Sequence, residues 1–344
     1  HIPDVLVFPP GTDLHDNSLY EEGKIILQDK ASCFPAFVLS PPSGTDVIDA
    51  CAAPGNKTSH LTAVMDNNGK IFAFDISEKR ILTMKKLLKR AGETIVEAKH
   101  EDFLQTDPSD PVYTNVQYIL VDPSCSGSGI INRLDYVTSD NNNMDEKERE
   151  RVRSLAQFQV KILSHALSFP AVKRVVYSTC SLHNMENEEV VMKCLENFHE
   201  KFELNMALPG WPHRGHPVFP EASKCVRASP KEGSTSGFFL ALFETKDVLK
   251  IMKLQQDKIQ NDLQDIHSSS RTATKEGKNQ TEIKINLKKR KRESANDVRK
   301  VQRITENGRM KLMRTHRRCS SREFEKNLKL LREIKHRRTI LAKK

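Results

Sequence analysis

The chain has 344 residues, which is enough for one large or two ordinary domains with a substantial core. Residues 245–344 hold 30 Lys and Arg against 12 Asp and Glu, whereas residues 1–244 hold 25 against 33, so the net charge of +10 belongs to the tail. The sequence contains no recognisable signal peptide and no run of about 18 apolar residues, so we expect a soluble intracellular protein without a membrane partner.

Residues 1–46 are predicted to precede the main fold. Apolar residues at 5–8 predict a short strand that the Pro-Pro-Gly sequence at 9–11 would end. A helix is predicted over 31–39, and Pro-Pro-Ser-Gly at 41–44 stops it. The chain begins at His1 rather than Met, so this segment is compatible with a missing upstream domain.

From residue 47 to residue 244, apolar runs alternate with amphipathic patterns. Helices are predicted around 61–65, from a Ser77 cap through 88, over 155–166 and over 186–198. This alternation indicates an α/β fold with a largely parallel sheet flanked by helices. The polar stretch 135–151 predicts a mobile surface loop or lid. Strands are predicted at 47–50, 71–74, 95–98, 118–121, 174–177 and 237–243.

The tail, residues 245–344, is predicted to be basic and partly disordered. Its run of five Lys and Arg at 288–292 is typical of a nuclear address or a phosphate patch. Ser320 and Glu323 form a capping box, and the apolar pattern that follows predicts an amphipathic helix over 321–341. The tail could bind a polyanionic partner, most simply nucleic acid, or it could be a solvated or protein-binding extension, and the sequence favours neither role.

The segment 49–58, Asp-Ala-Cys-Ala-Ala-Pro-Gly-Asn-Lys-Thr, predicts a ligand-binding turn between a strand and a helix. Gly55 lets a ligand approach the backbone, and the free N–H groups of the new helix would face it. A P-loop is the competing interpretation, but it needs an adjacent Gly-Lys pair and an earlier glycine, and G-x-G-x-x-G is missing too. Asp75 follows Gly55 by 20 positions, the spacing at which an acidic residue meets ribose hydroxyls. An adenosine ligand without a pyrophosphate fits best.

Two of the seven cysteines directly follow predicted strands. Cys125 lies in Asp-Pro-Ser-Cys-Ser-Gly, 122–127, and Cys180 in Ser-Thr-Cys-Ser, 178–181. Both are expected at the carboxyl edge of the sheet, and two cysteines in matching positions suggest chemistry rather than packing. The cysteines at 33, 51, 194, 225 and 319 are interpreted as buried hydrophobes, although Cys51 could line the turn. None forms a C-x-x-C pair, which argues against zinc and a disulfide framework and implies a reducing compartment.

Taken together, these three motifs resemble those of the Sun/Fmu (Nop/Sun-domain) RNA cytosine-C5 methyltransferases. The resemblance covers about residues 1–244, including 20–29 near the start and Arg227 with 237–239 near the end. The Trp-Pro-His-Arg-Gly stretch at 211–215 is similar to the sequence found in the fifth-member branch of this family. Enzymes of that branch methylate one cytosine in 25S/28S ribosomal RNA. Many relatives carry Ala-Pro or Pro-Pro before the first cysteine, so Pro123-Ser124 departs from them but fits this branch.

The resemblance implies a class I Rossmann-like methyltransferase domain over 47–244 that uses S-adenosyl-L-methionine and no metal. A thiolate added to cytosine C6 makes C5 enamine-like and able to accept a methyl group. Cys180 would be this nucleophile, Cys125 would assist loss of the C5 proton, and Asp122 would bond the cytosine N3/N4 edge. Asp75 would take the ribose hydroxyls and Asp102 the adenine edge. The predicted cofactor-binding residues are Cys51, Ala52, Ala53, Pro54, Gly55, Asn56, Lys57, Asp75, Arg80, Asp102 and Asp122.

We therefore predict an enzyme that forms 5-methylcytosine in large-subunit ribosomal RNA or a pre-ribosomal particle, in ribosome biogenesis and translation. It would be monomeric and located in the nucleus and nucleolus, and residues 1–46 could end an upstream RNA-binding subdomain. One alternative is a related enzyme that acts on another RNA or on DNA. DNA cytosine methyltransferases use the cysteine after the fourth strand as the nucleophile, so the presence of Cys180 opposes the DNA interpretation. The other is a non-catalytic RNA-binding assembly factor, which the presence of both cysteines and all the acidic residues opposes.

Overall fold

An eight-stranded sheet forms the centre of the molecule. The computed structural model describes residues 2, 5–8, 12–130, 145–229 and 235–248. Across the sheet the strand order is β3-β2-β1-β4-β5-β8-β6, and β7 also pairs with β8. The strands are β1 (Asp46–Asp49), β2 (Lys70–Asp75), β3 (Val96–His100), β4 (Val116–Val121), β5 (Arg174–Thr179), β6 (Phe202–Asn205), β7 (Val226–Ala228) and β8 (Phe238–Thr245).

The sheet is mixed but mostly parallel. Strands β1 to β5 pair in parallel, and β8 runs antiparallel to β5, β6 and β7. Because the chain moves outward from β1 to β3 and then returns to place β4 on the other side of β1, the strand order reverses between β1 and β4. Such a switch point opens a crevice at the carboxyl ends of the strands, where ligands bind in α/β sheets. The predicted fold class is confirmed.

Helices cover both faces of the sheet. Residues of α5 and α6 share one apolar cluster with Ile119 and Val121, whereas residues of α2 and α3 share the other with Leu120. Burial on both faces explains why β4 is a nearly continuous apolar run in the sequence. None of the helices in the described ranges is both long and apolar enough to cross a membrane. The helices are α1 (Ser18–Glu21), α2 (Phe34–Leu39), α3 (Asn56–Val64), α4 (Glu78–Ala91), α5 (Glu146–Ser168) and α6 (Glu188–Phe198).

Helix α4 shows how local signals set an element. The Ser77 side chain accepts a hydrogen bond from Arg80 N at the N-terminus, a cap that typically contributes about 1 kcal/mol. Ile81, Met84 and Leu88 form the buried face at helical spacing. Gly92, in the left-handed region at φ +72°, ends the helix. The predicted cap and apolar face are both confirmed.

Two predictions about strands were wrong. Residues 5–8 form no strand in the described structure, and Leu6 and Val7 are 57% and 86% exposed, because no neighbouring strand covers them there. Strands β6 and β7 were missed, since they are only four and three residues long and become strands by pairing with the buried strand β8.

The predicted loop over 135–151 was wrong at its C-terminal end, because α5 already begins at Glu146. The Asp145 side chain accepts a hydrogen bond of 2.7 Å from Glu148 N and caps the helix. Exposed Glu and Arg side chains then pair along the first turns, as in the 2.7 Å contact between Arg151 and Glu148. The remainder of the predicted lid, 135–144, lies outside the described residues, as do the basic run 288–292, the helix predicted over 321–341 and Cys319.

Candidate active site

The turn after β1 begins with a buried carboxyl group. Asp49 is 1% exposed, and Thr58 Oγ1 donates a hydrogen bond of 2.8 Å to its Oδ2. Its other oxygen, Oδ1, is buried without a hydrogen-bond partner among the residues described. Burial raises the pKa of Asp49 to about 7, although the hydrogen bond from Thr58 acts in the opposite direction. The turn therefore contains an acceptor that a ligand's donor group could satisfy.

The end of the turn is a close approach between two helices. Gly55 has φ +108°, and a Cβ atom there would lie 2.6 Å from Met84 Cγ, so glycine is required. No side chain caps α3, which begins at Asn56, so its first backbone N–H groups remain available to a ligand. Strand, turn and helix start lie where the sequence predicts them.

The other residues of the predicted cofactor turn have distinct surroundings. Ala52 and Ala53 are buried and pack with α4, and the Ala53–Pro54 peptide bond is cis. Burial raises the pKa of the Cys51 thiol well above its ordinary value, as expected for an inert thiol that lines the turn. The Asn56 side chain instead donates a 3.4 Å hydrogen bond to Leu27 O in the N-terminal segment.

Asp75, at the end of β2, joins that strand to the turn. Its carboxylate is 3% exposed and accepts hydrogen bonds from Ala53 N at 3.2 Å and Ser77 N at 2.9 Å. Arg80 Nη1 lies 3.2 Å from Asp75 Oδ2, and the same guanidinium donates to Ala53 O. Arg80 is therefore more than a helix-surface cation, because it ties the turn to the end of β2.

Asp102 lies at the same edge of the sheet, after β3. Its Oδ1 accepts a 3.0 Å hydrogen bond from Leu104 N and caps a short 3-10 turn. Strands β2 and β3 are parallel neighbours that pair Asp75 with His100, so Asp75 and Asp102 end adjacent strands. The contact of Asp102 with an adenine edge stays a prediction.

The two cysteines predicted to carry chemistry meet. Cys125 Sγ and Cys180 Sγ lie 3.0 Å apart, at the ends of the adjacent parallel strands β4 and β5. The hydrogen bond from Cys125 lowers the pKa of Cys180, with burial acting against it. The same hydrogen bond, together with burial, raises the pKa of Cys125. One thiolate and one thiol, with Cys180 as the thiolate, is the arrangement that these contacts favour.

Lys57 and Asp122 form an ion pair beside the thiols. Lys57 Nζ lies 2.7 Å from Asp122 Oδ2, and Ser178 Oγ donates a 2.6 Å hydrogen bond to Asp122 Oδ1. Burial alone would lower the pKa of Lys57, but the attraction of Asp122 outweighs it and the pKa is raised. The ammonium charge in turn lowers the pKa of Cys180, whereas the charge of Asp122 raises it. Lys57, predicted only as a cofactor-binding residue, thus also acts on the thiol of Cys180.

The sequence did not single out the polar residues that surround the thiols. Glu186 and Gln159 are both fully buried, and Glu186 Oε1 accepts hydrogen bonds from Ser126 N at 2.9 Å and Gln159 Nε2 at 3.0 Å. Glu186 was predicted to begin a helix, and Gln159 falls inside a helical pattern, so neither position carries a local signal of this role.

The remaining described cysteines behave as buried hydrophobes. Burial raises the pKa of Cys33 and of Cys194 to about 11 each, and that of Cys225 to about 12. These thiols are therefore protonated at neutral pH and inert. Over the described ranges, no group of three or more His, Cys, Asp or Glu side chains is arranged to hold a metal ion.

Family models match two parts of the chain. The model of the 16S rRNA methyltransferase RsmB/F matches residues 36–244. The ferredoxin-like domain of NOL1/NOP2/Sun domain family member 5 matches residues 1–28. The first match contains the turn, both cysteines and every residue of the predicted site.

Individual proteins show the same similarity. The 28S rRNA (cytosine-C(5))-methyltransferase of Mus musculus is 51% identical over 256 residues, covering 74% of this chain and 54% of that protein. The 25S rRNA (cytosine-C(5))-methyltransferase NSUN5 of Arabidopsis thaliana is 47% identical over 247 residues, covering 70% and 43%. A methyltransferase homologue from Pyrococcus horikoshii has a crystal structure with a TM-score of 0.55 and 30% identity, covering 68% of this chain and 72% of that one.

The chain spans about half the length of the curated relatives it matches. The family match nevertheless extends from the second helix to the last strand of the sheet, and with it the resemblance to the Sun/Fmu enzymes is confirmed. The chain belongs to the 16S rRNA methyltransferase RsmB/F family.

Proposed function

We propose that the protein transfers a methyl group from S-adenosyl-L-methionine to C5 of a cytosine in large-subunit ribosomal RNA. The observation that carries the proposal is the pair of thiols 3.0 Å apart beside the Lys57–Asp122 ion pair. The family name refers to 16S rRNA, whereas the mouse and Arabidopsis relatives are named for 28S and 25S rRNA. The match of residues 1–28 to the ferredoxin-like domain of family member 5 favours the large subunit.

The turn after β1 fits the proposed cofactor. Its unpaired Asp49 oxygen could accept from a donor such as the cofactor's amino group, and at Gly55 a side chain would meet α4. The turn 51–57 would hold the cofactor, Asp75 would accept from the ribose hydroxyls, and Asp102 would face the adenine. Arg80 keeps Asp75 and the turn together. When bound, S-adenosyl-L-methionine supplies an electrophilic methyl group.

Cys180 is the proposed nucleophile. Its thiolate is favoured by the hydrogen bond from Cys125 and by the charge of Lys57. The sulfur would form a bond to cytosine C6, which makes C5 enamine-like and able to accept a methyl group. Asp122, held by Lys57 and Ser178, would contact the N3/N4 edge of the base and fix its orientation.

Cys125 is proposed to complete the reaction. After methyl transfer, C5 carries both a proton and the new methyl group. Cys125 would assist removal of that proton, and the electrons of the broken C–H bond would restore the ring as the C6–sulfur bond breaks. Cys180 then leaves as a thiolate, and the product is 5-methylcytosine.

The opposite roles of the two cysteines provide the test. Cys180→Ala cannot form a covalent bond to RNA, whereas Cys125→Ala still permits attack and methyl transfer but remains attached to the methylated base. With rRNA and labelled S-adenosyl-L-methionine, a denaturing gel should show a slowly migrating protein–RNA band for Cys125→Ala alone. A band for Cys180→Ala alone would exchange the roles.

Substrate identity is tested with the unchanged protein. Total rRNA, small-subunit rRNA, DNA and pre-ribosomal particles are each incubated with labelled cofactor, and label should enter the large-subunit RNA. Label in DNA, in small-subunit RNA or in none of the substrates would overturn the proposal. The last result would favour an RNA-binding assembly factor.

We further propose that the protein acts as a monomer in the nucleus and nucleolus. The composition of the tail supports the location, because the tail has 18 more basic than acidic residues and contains the basic run 288–292. Truncation after Glu244 should flatten the salt dependence of RNA binding, because fewer counterions would be released. If the salt dependence of RNA binding is unchanged by the truncation, the tail is a solvated extension or binds a protein partner.

A further inference from the structure

A buried carboxylate outside the predicted site lies between the two cysteine loops. Glu186 is at the end of the short turn Asn184–Glu186 that follows β5, and its side chain is fully buried. Its Oε1 accepts from Ser126 N at 2.9 Å, and its Oε2 accepts from Ser181 Oγ. Ser126 directly follows Cys125, and Ser181 directly follows Cys180. One carboxylate therefore binds the residue next to each thiol.

Further hydrogen bonds in the same place join the two loops. Ser126 Oγ donates to Ser181 Oγ at 3.2 Å, and Ser128 Oγ accepts from Leu182 N at 2.9 Å. The two loops are thus joined by hydrogen bonds between their side chains, with Glu186 between them. Because β4 and β5 end before the cysteines, contacts between the loops set the thiol separation of 3.0 Å, namely this seam and a hydrogen bond of 2.9 Å from Gly129 N to Cys180 O.

Glu186 is itself held in place. Tyr177 OH donates to Glu186 O at 2.5 Å, and Gln159 Nε2 donates both to Glu186 Oε1 and to Ser124 O, each at 3.0 Å. The carboxylate forms no ion pair with any described residue, and hydrogen bonds from Ser126 N, Gln159 Nε2 and Ser181 Oγ compensate its burial instead.

The charges around the two thiols differ. Lys57 acts on Cys180, whose pKa is lowered first by the hydrogen bond from Cys125. Glu186 acts on Cys125, whose pKa is raised first by the hydrogen bond to Cys180 and then by burial, with Glu186 contributing in the same direction. Near Cys180 the opposite charges of Lys57 and Asp122 are paired and oppose each other, whereas Glu186 has no cationic partner and raises the pKa of Cys125, so the shared proton is favoured on Cys125.

We propose that Glu186 is a positioning residue: it holds the two cysteine loops at thiol contact distance and keeps the proton of the pair on Cys125, so that Cys180 is the nucleophile. The part of this inference that makes Cys180 the nucleophile rests on the proposed function. Its physical content concerns only the two thiols, and it can be measured without RNA or cofactor.

Two variants separate charge from geometry. Glu186→Gln keeps the size of the side chain and an acceptor for Ser126 N but removes the charge. Ser181→Ala keeps the charge and removes one hydrogen bond between the loops. Glu244→Gln is the control, because Glu244 is equally buried but pairs with Arg174 at the start of β5, away from the cysteines.

The first measurement is alkylation of the full chain by iodoacetamide between pH 6 and 9, with each cysteine followed by mass spectrometry. The unchanged protein should be alkylated first at Cys180. In Glu186→Gln the preference for Cys180 over Cys125 should fall roughly tenfold, the change that one pKa unit produces. Ser181→Ala and Glu244→Gln should retain the preference.

The second measurement is closure of a Cys125–Cys180 disulfide by diamide, which is reduced to the hydrazine as the two thiols are oxidised. Ser181→Ala should slow closure several-fold because the loops are less tightly joined, whereas Glu244→Gln should not. An unchanged preference in Glu186→Gln would overturn the role of the charge, and closure at the normal rate in Ser181→Ala would overturn the role in spacing. If Glu186→Gln and Glu244→Gln shift thiol reactivity alike, the residue is merely structural.

Methyl transfer distinguishes this inference from the function itself. If the unchanged protein methylates rRNA, Glu186→Gln should lower kcat more than it raises KM and should change the pH profile. If the unchanged protein methylates nothing while the alkylation preference still depends on Glu186, the proposed function fails and the positioning role stands.

Discussion

The turn after β1 and the thiol pocket are built in different ways. The turn consists of one continuous segment whose key features are backbone features: the left-handed Gly55 and the uncapped start of α3. The pocket combines side chains from segments far apart in the chain, with Lys57, Cys125 and Cys180 as its members. The turn is therefore specified by residues close together in the sequence, whereas the thiol pocket is specified by packing between distant segments. If so, changes in the turn at residues other than Lys57 should leave thiol reactivity unaffected.

The largest effect is expected from Gly55→Ala. The left-handed backbone should cost about 1–2 kcal/mol and the contact with Met84 a further 1–3 kcal/mol, measured as the free energy of unfolding in urea. Gly92→Ala is the matched control, because Gly92 also has a positive φ but a Cβ there meets nothing within 4 Å. Equal losses of unfolding free energy in the two variants would show that the contact with Met84 adds no cost beyond the backbone conformation.

Asp49→Asn should change how stability depends on pH. Because folding raises the pKa of Asp49 from 3.8 to about 7, the folded state binds the extra proton between these values and stability falls as pH rises through them. Removing the ionisable group should therefore stabilise the variant relative to the unchanged protein by up to roughly 4 kcal/mol at pH 8 but little at pH 4. A stability difference independent of pH would contradict the raised pKa.

Asp75→Asn should weaken cofactor binding by about 1.5–3 kcal/mol, the value of hydrogen bonds to a charged group. Calorimetric titration with S-adenosyl-L-methionine measures this loss, and alkylation of Cys180 should not change. Asp107→Asn is the control, since Asp107 is exposed and bonds only Ser109. Unchanged affinity in a folded Asp75 variant would reject the assignment to the ribose.

Lys57→Met tests the one residue that belongs to both regions, and its effect is the smallest. Without the ammonium charge, the pKa of Cys180 should rise, so alkylation of this thiol should require a higher pH. Lys70→Met, which removes a lysine paired with exposed Glu97, should leave the alkylation profile unchanged. A profile that stays unchanged or moves to lower pH would contradict the assignment of Lys57 as a charge that favours the Cys180 thiolate.

Prediction from sequence succeeded where neighbouring residues decide the structure. The helix at 78–91 follows from a serine cap, an apolar face and a terminal glycine within 16 residues. It failed where distant segments decide, as for β7, which becomes a strand only beside β8. The apolar run at 5–8 predicts a strand, but within the described structure these residues pair with no neighbouring strand.

The sequence by itself determined the α/β class, the turn after β1, the acidic residues at the strand ends and the two cysteines after β4 and β5. These features depend on short spacings and on the rule that parallel strands end at one edge. Only the tertiary structure decided that the thiols touch, that Lys57 reaches Asp122, and that Glu186 joins the loops. The physical reason is that burial and hydrogen bonding between residues 27 to 65 positions apart arise only when the sheet is assembled.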